Sequence, residues 1–242
     1  MPENNSQYDV IVIGAGVAGL YQLYKLRQLK LKVLVIEAGD NVGGTWYWNR
    51  YPGARFDSES WSYGYSFSRE LFEEWDWPEH FAAQPDTLRY LNYVADKFDL
   101  RRDINFNRRV KAALFSEENN SWTVRTDTNE SFEARFLITA MGPLSAFTLP
   151  NIEGRETFEG PAYHTARWPH EKVDFSGKRV GIIGTGACAI QTIQTIAKDV
   201  AHLTVFQRSP NWAAPLNNSA ITEAEQKQIK QDFEKIFEQC KK

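Results

Sequence analysis

The amino-acid sequence predicts an α/β fold of three layers, built from two Rossmann-like units with a small β excursion. Residues 8–39 contain a strand pattern, a glycine-rich turn, an amphipathic helix pattern and a second strand pattern. Residues 178–208 repeat the same order. The first strand pattern, residues 10–13, is apolar without interruption, which is typical of a parallel strand covered on both faces.

The first unit contains three glycines, Gly14, Gly16 and Gly19, with the spacing G-x-G-x-x-G. In a strand-to-helix turn, the first permits the tight turn, the second lets the backbone approach a pyrophosphate, and the third lets the helix pack closely. The N-terminus of the helix attracts an anion. Glu37 ends the predicted second strand, residues 32–36, where it can accept hydrogen bonds from ribose hydroxyls. The pattern favours a dinucleotide site; a glycine-rich turn without a ligand is the alternative.

The second unit repeats this order of elements. A predicted strand over residues 180–183 is followed by Gly184, Gly186 and Ala189, and alanine is still small enough for helix–strand packing. A helix is predicted over residues 190–197 and a second strand over residues 203–206. Cys188 lies in this turn and is interpreted as a small packing residue rather than a redox thiol.

The two units differ where their second strands end. The interval from the first glycine to Glu37 is 23 positions, and the same interval in the second unit ends at Gln207. A neutral amide therefore replaces the acid, and Arg208 and Ser209 follow it. An acid would repel the 2′-phosphate of NADPH, whereas arginine binds phosphate. We therefore predict FAD at the first unit and NADPH at the second.

Composition is that of an ordinary globular protein. The chain has 242 residues, 42% hydrophobic and 24% charged, with a net charge of −3, which suits one large domain or two intimate ones. The mild acidity gives no reason to expect nucleic acid or an anionic membrane as a partner. No signal peptide or bilayer-length apolar run is expected. The two cysteines, Cys188 and Cys240, indicate a reducing compartment such as the cytoplasm, and they do not form the C-x₄-C pair of a disulfide reductase.

An aromatic-rich segment follows the first unit. Residues 43–57, GGTWYWNRYPGARFD, begin with a glycine pair that is expected to bring the backbone close to a bound phosphate or ribityl chain. Because loops with many rings often line a pocket, we predict pocket walls here, with a hydrophobic cluster under a long loop as the alternative. Arg55 and Asp57 are expected to face the same side and form an ion pair. A turn cap is the alternative role for Asp57.

Periodicity and turn residues predict the remaining elements. Helices are expected over residues 68–77, 84–98 and 221–240. Strands are expected over residues 105–115, 121–126 and 131–139. The first two strands would form a hairpin and the third would return to the buried sheet. Thr222 and Glu225 form a capping box before the last helix, whose apolar stripe needs a covering surface. The predicted domains are an FAD-binding domain at 1–150, a linker at 151–177 and an NADP-binding domain at 178–242.

The segment between the two units carries a longer motif. Phe158, Gly160, His164, Trp168 and Pro169 match F-x-G-x-x-x-H-x-x-x-W-P. This pattern resembles the fingerprint of type I Baeyer–Villiger monooxygenases, class B flavoprotein monooxygenases of the cyclohexanone monooxygenase kind. The segments 43–57 and 207–212 resemble the same family. The related flavin-containing and N-hydroxylating monooxygenases share the first part of the fingerprint but usually lack its Trp-Pro end.

The fingerprint residues have two interpretations. From the residues alone, His164 is a structural histidine and Trp168 a core residue. The family resemblance implies a hinge between the cofactor domains rather than a site of proton transfer.

The resemblance implies an oxidoreductase in which NADPH reduces FAD and the reduced flavin captures O₂ as a C4a-peroxide that converts a ketone to an ester or lactone. Asp57 is implied to be the catalytic acid near the flavin, paired with an arginine. The implied FAD contacts are Gly14, Gly16, Gly19, Glu37, Gly44, Thr45, Trp46, Trp48, Arg55, Asp57, Tyr63 and Val110. The implied NADPH contacts are Gly184, Thr185, Gly186, Ala189, Arg208 and Ser209. No metal is expected.

The sequence also departs from the family. Family members are much longer, and no residue here matches the arginine partner of Asp57. We therefore expect an N-terminal fragment or truncated gene product that binds FAD weakly and does not complete ketone oxygenation alone. The alternatives are an N- or S-oxygenating flavin monooxygenase and a non-catalytic nucleotide-binding remnant.

Overall fold

The computed structural model describes residues 7–241. Its strands are β1 (Tyr8–Ile13), β2 (Val33–Ile36), β3 (Ile104–Asn105), β4 (Val110–Ser116), β5 (Ser121–Thr126), β6 (Ser131–Thr139), β7 (Arg179–Ile183) and β8 (His202–Phe206). Its α-helices are α1 (Val17–Gln28), α2 (Thr45–Trp48), α3 (Ser60–Tyr63), α4 (Arg69–Glu74), α5 (Gln84–Lys97), α6 (Ala187–Ile196), α7 (Glu223–Gln231) and α8 (Phe233–Gln239). The predicted α/β class is confirmed.

The chain divides into two compact units. The first contains the residues up to Trp48 together with Leu91–Glu159, and the second contains Asn49–Tyr90 together with the residues from Gly160 onward. Residues 49–90, which the sequence assigned to the FAD-binding domain, therefore cluster with the second unit. The assignment of the domains at 1–150, 151–177 and 178–242 to FAD binding, a linker and NADP binding remains a prediction.

The first unit is organised around a six-stranded sheet with the order β3-β2-β1-β6-β5-β4. Strand β1 pairs in parallel with both β2 and β6, and Ile13 lies opposite Ile36 on one side and Thr139 on the other. Strands β4, β5 and β6 pair antiparallel. Strands β5 and β6 have the predicted bounds, and β6 returns to the buried sheet beside β1, as expected. Ile11, in the middle of β1, is completely buried, as a central strand requires.

One strand prediction in this unit is wrong. The expected strand over residues 105–115 is two strands, β3 and β4, which pair with different neighbours. Asn107 separates them with a left-handed φ of +55°, and its backbone N–H donates to the carbonyl of Gly39 at 2.9 Å. Val110 begins β4 and packs, half-buried, against a core cluster that contains Ile11 and Val124.

The second unit contains the repeated strand–helix–strand segment. Strands β7 and β8 form a two-stranded parallel sheet in which Ile183 lies opposite Phe206, and α6 connects them. Helix α6 begins three residues before the predicted start, because Gly186 is its N-cap residue. The order strand, glycine turn, helix and parallel strand is therefore the same as in the first unit.

The predicted last helix is two helices in this unit. Asp232 leaves helical geometry, with ψ of +13°, and separates α7 from α8. The predicted capping box is confirmed, since the Thr222 side chain accepts from the backbone of Glu225 and the Glu225 carboxylate accepts from the backbone of Thr222. Part of the apolar stripe is covered inside the unit, where the ring of Phe72 lies 5.0 Å from that of Phe233.

Among the helices in residues 7–241, none has the length and apolarity that a bilayer crossing requires.

The third position of each glycine turn gives the first testable prediction. A Cβ at Gly19 would lie 1.9 Å from the carbonyl oxygen of Gly14, whereas the second unit carries Ala189 at the same place. Gly19→Ala is expected to lower the free energy of unfolding by about 3 kcal/mol through overpacking. The matched change Ala189→Gly is expected to cost about 1 kcal/mol through helix propensity alone. Urea denaturation measures both, and equal losses would contradict the role of the backbone contact.

Candidate functional site

The first glycine turn is closed by backbone contacts that only glycine permits. Gly14 has a φ of +101°, and its N–H donates to the carbonyl of Ile36 at 2.8 Å. A Cβ at this position would lie 2.6 Å from the carbonyl oxygen of Ala140. Gly16 then caps α1 and accepts from the N–H of Leu20 at 3.0 Å. The N-terminus of α1 therefore lies beside the tip of β2.

The glycine pair of the aromatic segment packs on this turn. Gly43 donates its N–H to the carbonyl of Ala15 at 3.0 Å. Gly44 has a φ of +53°, and a Cβ there would lie 2.7 Å from the Cα of Gly16. Two glycine backbones thus meet face to face, and no side chain lies between them.

Glu37 occupies the tip of β2 and is 4% exposed. Its Oε2 accepts from the backbone N–H of Ala15 at 2.7 Å, and its Oε1 accepts from the backbone N–H of Gly39 at 2.7 Å. The two contacts fix the carboxylate against the glycine turn. Because a carboxylate oxygen accepts more than one hydrogen bond, each oxygen keeps further acceptor capacity.

The second glycine turn repeats this geometry in the second unit. Gly184 has a φ of +100°, and its N–H donates to the carbonyl of Phe206 at 2.8 Å. Gly186 caps α6 and accepts from the N–H of Ile190 at 3.0 Å. The surroundings differ, however, since a Cβ at Gly184 or Gly186 would meet no other atom within 4 Å.

The tip of β8 carries a neutral contact in place of the acid. Gln207 donates from Nε2 to the hydroxyl oxygen of Thr185 at 2.9 Å. Asn211, which sequence reasoning did not select as a site residue, donates from Nδ2 to the same oxygen at 3.0 Å. Arg208 and Ser209 follow β8 and are exposed. The side chains of Arg208 and Ser209 are therefore accessible beside the uncharged contact of Gln207 with Thr185.

The aromatic segment is more ordered than predicted. Residues 45–48 form α2, and Trp46 and Tyr47 are buried, as a hydrophobic cluster requires. The Tyr47 ring lies against Gly39, where a Cβ would come within 2.8 Å of it. The expected contacts of Thr45, Trp46 and Trp48 with a flavin stay a prediction.

The predicted ion pair between Arg55 and Asp57 is wrong. Arg55 donates instead to the Glu79 carboxylate at 3.0 Å and to the Phe81 carbonyl at 3.1 Å. An antiparallel bridge between Arg55 and Ala83 aligns the two segments and turns the guanidinium toward residues 79–81. Asp57 is exposed.

The fingerprint residues make local contacts. His164 accepts the backbone N–H of Ala166 on Nδ1 at 3.1 Å and caps the 3₁₀ helix Thr165–Arg167. The Trp168 ring lies 5.4 Å from that of Tyr163. Phe158 is exposed. These contacts describe the structural role of His164; a hinge role for the fingerprint stays a prediction.

The two units divide the predicted site residues between them. The first unit contains Gly14, Gly16, Gly19, Glu37, Gly44, Thr45, Trp46, Trp48, Val110 and Phe158. The second unit contains Arg55, Asp57, Tyr63, Gly160, His164, Trp168, Pro169, Gly184, Thr185, Gly186, Ala189, Arg208 and Ser209. Tyr63 stacks on Phe56 there, with ring centroids 4.4 Å apart. In residues 7–241, no group of three or more His, Cys, Asp or Glu side chains is placed to hold a metal ion.

The paired glycine turns place the chain in a known class. The sequence model of the pyridine nucleotide-disulphide oxidoreductase family matches residues 11–242, and the chain belongs to this family. Both cysteines are free, Cys188 half-buried and Cys240 exposed. Within the class, the relatives of the chain include a Baeyer–Villiger monooxygenase and acetone, cyclohexanone and cyclopentanone monooxygenases, which confirms the resemblance.

Three comparisons define this relationship. The chain is 51% identical over 210 residues to the acetone monooxygenase (methyl acetate-forming) of Gordonia sp. (strain TY-5), covering 87% of this chain and 39% of the relative. It is 44% identical over 236 residues to the phenazine N-monooxygenase PhzNO1 of Lysobacter antibioticus, covering 97% and 43%. The crystal structure of the OTEMO complex with FAD and NADP matches with a TM-score of 0.93 at 48% identity, covering 97% and 45%. The chain therefore spans less than half the length of the relatives it matches.

The fingerprint histidine gives a titration prediction. Partial burial, and then the positive charge of Arg167, hold the pKa of His164 below its usual 6.5. The folded state favours the neutral ring, so the stability that this preference contributes is present above pH 6.5 and is lost as the pH falls. The NMR titration midpoint of the His164 ring is expected below 6.5. Arg167→Ala is expected to raise that midpoint by removing a like charge. An unchanged midpoint would contradict an electrostatic effect of Arg167 on His164.

Proposed function

We propose that the chain binds FAD at the first glycine turn and NADPH at the second, as the nucleotide-binding part of a monooxygenase that converts a small-molecule ketone to an ester or lactone with O₂. The observation that carries the proposal is a pair of matching glycine turns whose second strands end in different residues. Glu37 follows the second strand of the first unit, and Gln207 and Arg208 follow that of the second. Similarity to an acetone monooxygenase that forms methyl acetate supports the reaction type.

The first turn fits the pyrophosphate and ribose of FAD. Gly14, Gly16 and Gly44 present backbone without side chains beside the N-terminus of α1, which is the arrangement that a pyrophosphate requires. Glu37 is already fixed by two backbone N–H groups, and its remaining acceptor capacity suits two ribose hydroxyls.

The second turn fits NADPH. The backbone at Gly184 and Gly186 is open, so a pyrophosphate can approach the N-terminus of α6. Gln207 brings no negative charge to the tip of β8. Arg208 and Ser209 are exposed beside it, where a guanidinium and a hydroxyl can bind a 2′-phosphate.

The bound cofactors supply the redox chemistry, and the protein supplies binding and orientation. In our proposal, the turn residues hold the two dinucleotides, Trp46 and Trp48 exclude water from the flavin, and Asp57 is the acid of the reaction. We expect the 242-residue chain to bind both cofactors without oxidising a ketone, because no residue matches the arginine partner that the resemblance assigns to Asp57. Ester formation by the purified 242-residue chain would contradict this expectation.

Glu37 and Arg208, which follow the second strands of the two units, give a paired prediction on cofactor affinity. Arg208→Gln is expected to weaken NADP⁺ binding by roughly ten- to a hundredfold, the value of a charge-assisted hydrogen bond, and to leave NAD⁺ binding unchanged. Glu37→Gln is expected to weaken FAD binding by about tenfold, because the amide cannot accept hydrogen bonds on both of its terminal atoms. Isothermal titration calorimetry on the 242-residue chain measures both. Equal losses of NADP⁺ and NAD⁺ affinity in Arg208→Gln would exclude the 2′-phosphate contact.

A second candidate function is oxygenation of nitrogen. The similarity to phenazine N-monooxygenase PhzNO1, 44% over 236 residues, favours it. The Trp168–Pro169 end of the fingerprint favours the ketone reaction instead. The protein expressed from the complete gene, supplied with FAD and NADPH, is expected to convert cyclohexanone to its lactone faster than it converts phenazine to the N-oxide. Product analysis by chromatography decides between them, and a preference for phenazine would replace the first proposal with the second.

A further inference from the structure

Residues 51–57, which carry Asp57, are packed on the helix that follows the second glycine turn. The Tyr51 hydroxyl donates to Gln191 Oε1 at 2.8 Å. Gln191 Nε2 donates in turn to the backbone carbonyl of Arg55 at 3.0 Å. A single amide side chain of α6 therefore bonds to the segment at both Tyr51 and Arg55.

The middle of the segment touches the same helix directly. Gly53 has a φ of +82°, and a Cβ there would lie 2.2 Å from Thr195 Oγ1 and 2.5 Å from the carbonyl oxygen of Gln191. The backbone of the segment thus lies against the backbone of α6 with no room for a side chain. This joint is made within the second unit.

The joint reaches the first turn of α6. Cys188, the second residue of that helix, lies close enough to Tyr51 to influence the titration of its hydroxyl. Burial, and then the neighbouring Cys188 thiol and the negative charge of Asp57, raise the pKa of Tyr51 well above its usual range. The hydroxyl therefore stays protonated and remains a donor to Gln191.

The opposite side of the segment has a separate support. The carbonyl of Ala54 accepts from the N–H of Gln84 at 2.8 Å, and the Arg55 guanidinium is held by Glu79. Asn218 also donates to Glu79, at 2.8 Å. These contacts do not involve the glycine turn, whereas α6 begins at that turn and touches the segment.

We propose that Gln191 is a positioning residue that links the second glycine turn to residues 51–57, so that a nicotinamide dinucleotide bound at the turn restrains the segment that carries Asp57. The identity of the nucleotide rests on the proposed function. The role requires an amide, because Gln191 must accept from Tyr51 and donate to Arg55 through the same side chain.

The test compares the same change, glutamine to glutamate, at two positions of α6, together with Tyr51→Phe. Gln191→Glu keeps the acceptor for Tyr51 and removes the donor to Arg55. Gln194→Glu, the matched control, places the same charge on an exposed position of α6. Tyr51→Phe removes the other hydrogen bond and keeps the ring. Backbone hydrogen–deuterium exchange is followed on the 242-residue chain with and without NADP⁺, and urea denaturation checks that each variant is folded.

In the unsubstituted chain and in Gln194→Glu, NADP⁺ is expected to slow exchange at residues 184–190 and at residues 51–57. In Gln191→Glu and Tyr51→Phe, the protection at 184–190 is expected to remain, and the protection at 51–57 is expected to fall about tenfold, the value of one hydrogen bond. Full protection at 51–57 in Gln191→Glu would overturn the proposal.

The same experiment separates this inference from the proposed function. If NADP⁺ slows exchange at neither segment of the unsubstituted chain, the proposed second cofactor fails. The link is then judged without nucleotide: exchange at 51–57 that is about tenfold faster in Gln191→Glu than in Gln194→Glu supports it, and equal rates overturn it.

Discussion

One backbone hydrogen bond closes each of the two glycine turns. Gly14 donates its N–H to the carbonyl of Ile36, and Gly184 donates to the carbonyl of Phe206, each at 2.8 Å. The bond requires a φ near +100°, which glycine adopts without strain. Because it ties the end of one strand to the end of its parallel neighbour, it sets where the helix begins. The N-terminus of that helix then lies beside the residue that ends the second strand.

The same turn has different surroundings in the two units. In the first, Ala140 and Gly44 pack against the glycines, and two backbone N–H groups hold the carboxylate of Glu37. In the second, the glycines are open and the clasp is an uncharged side-chain contact. The first turn is therefore preorganised by its own chain, whereas the second keeps more freedom for a ligand to restrict. This difference suits a resident cofactor at the first turn and an exchangeable one at the second.

The features that could be predicted from the sequence are those fixed by short-range chemistry. The glycine spacing, the small third residue and the residue that ends each second strand each act within one strand–helix–strand segment. The capping box of Thr222 and Glu225 is equally local.

The features that could not be predicted depend on residues far apart in the sequence. The direction of the Arg55 side chain is set by a bridge to Ala83, and the break after β3 is set by the hydrogen bond from Asn107 to Gly39. The bridging role of Gln191 has no sequence signal, because an amide at that helical position matches no motif. Only the packing of residues 51–57 on α6 shows it.

Thr185 has a consequence of its own for the chemistry of the second turn. Its hydroxyl oxygen accepts from two amides, Gln207 and Asn211, which occupy both of its lone pairs. The hydroxyl proton is then directed away from them, so this side chain can act toward a third group only as a donor. At this position the loop therefore favours a ligand atom that accepts a hydrogen bond, such as a phosphate oxygen, and it cannot accept a hydrogen bond from a ligand.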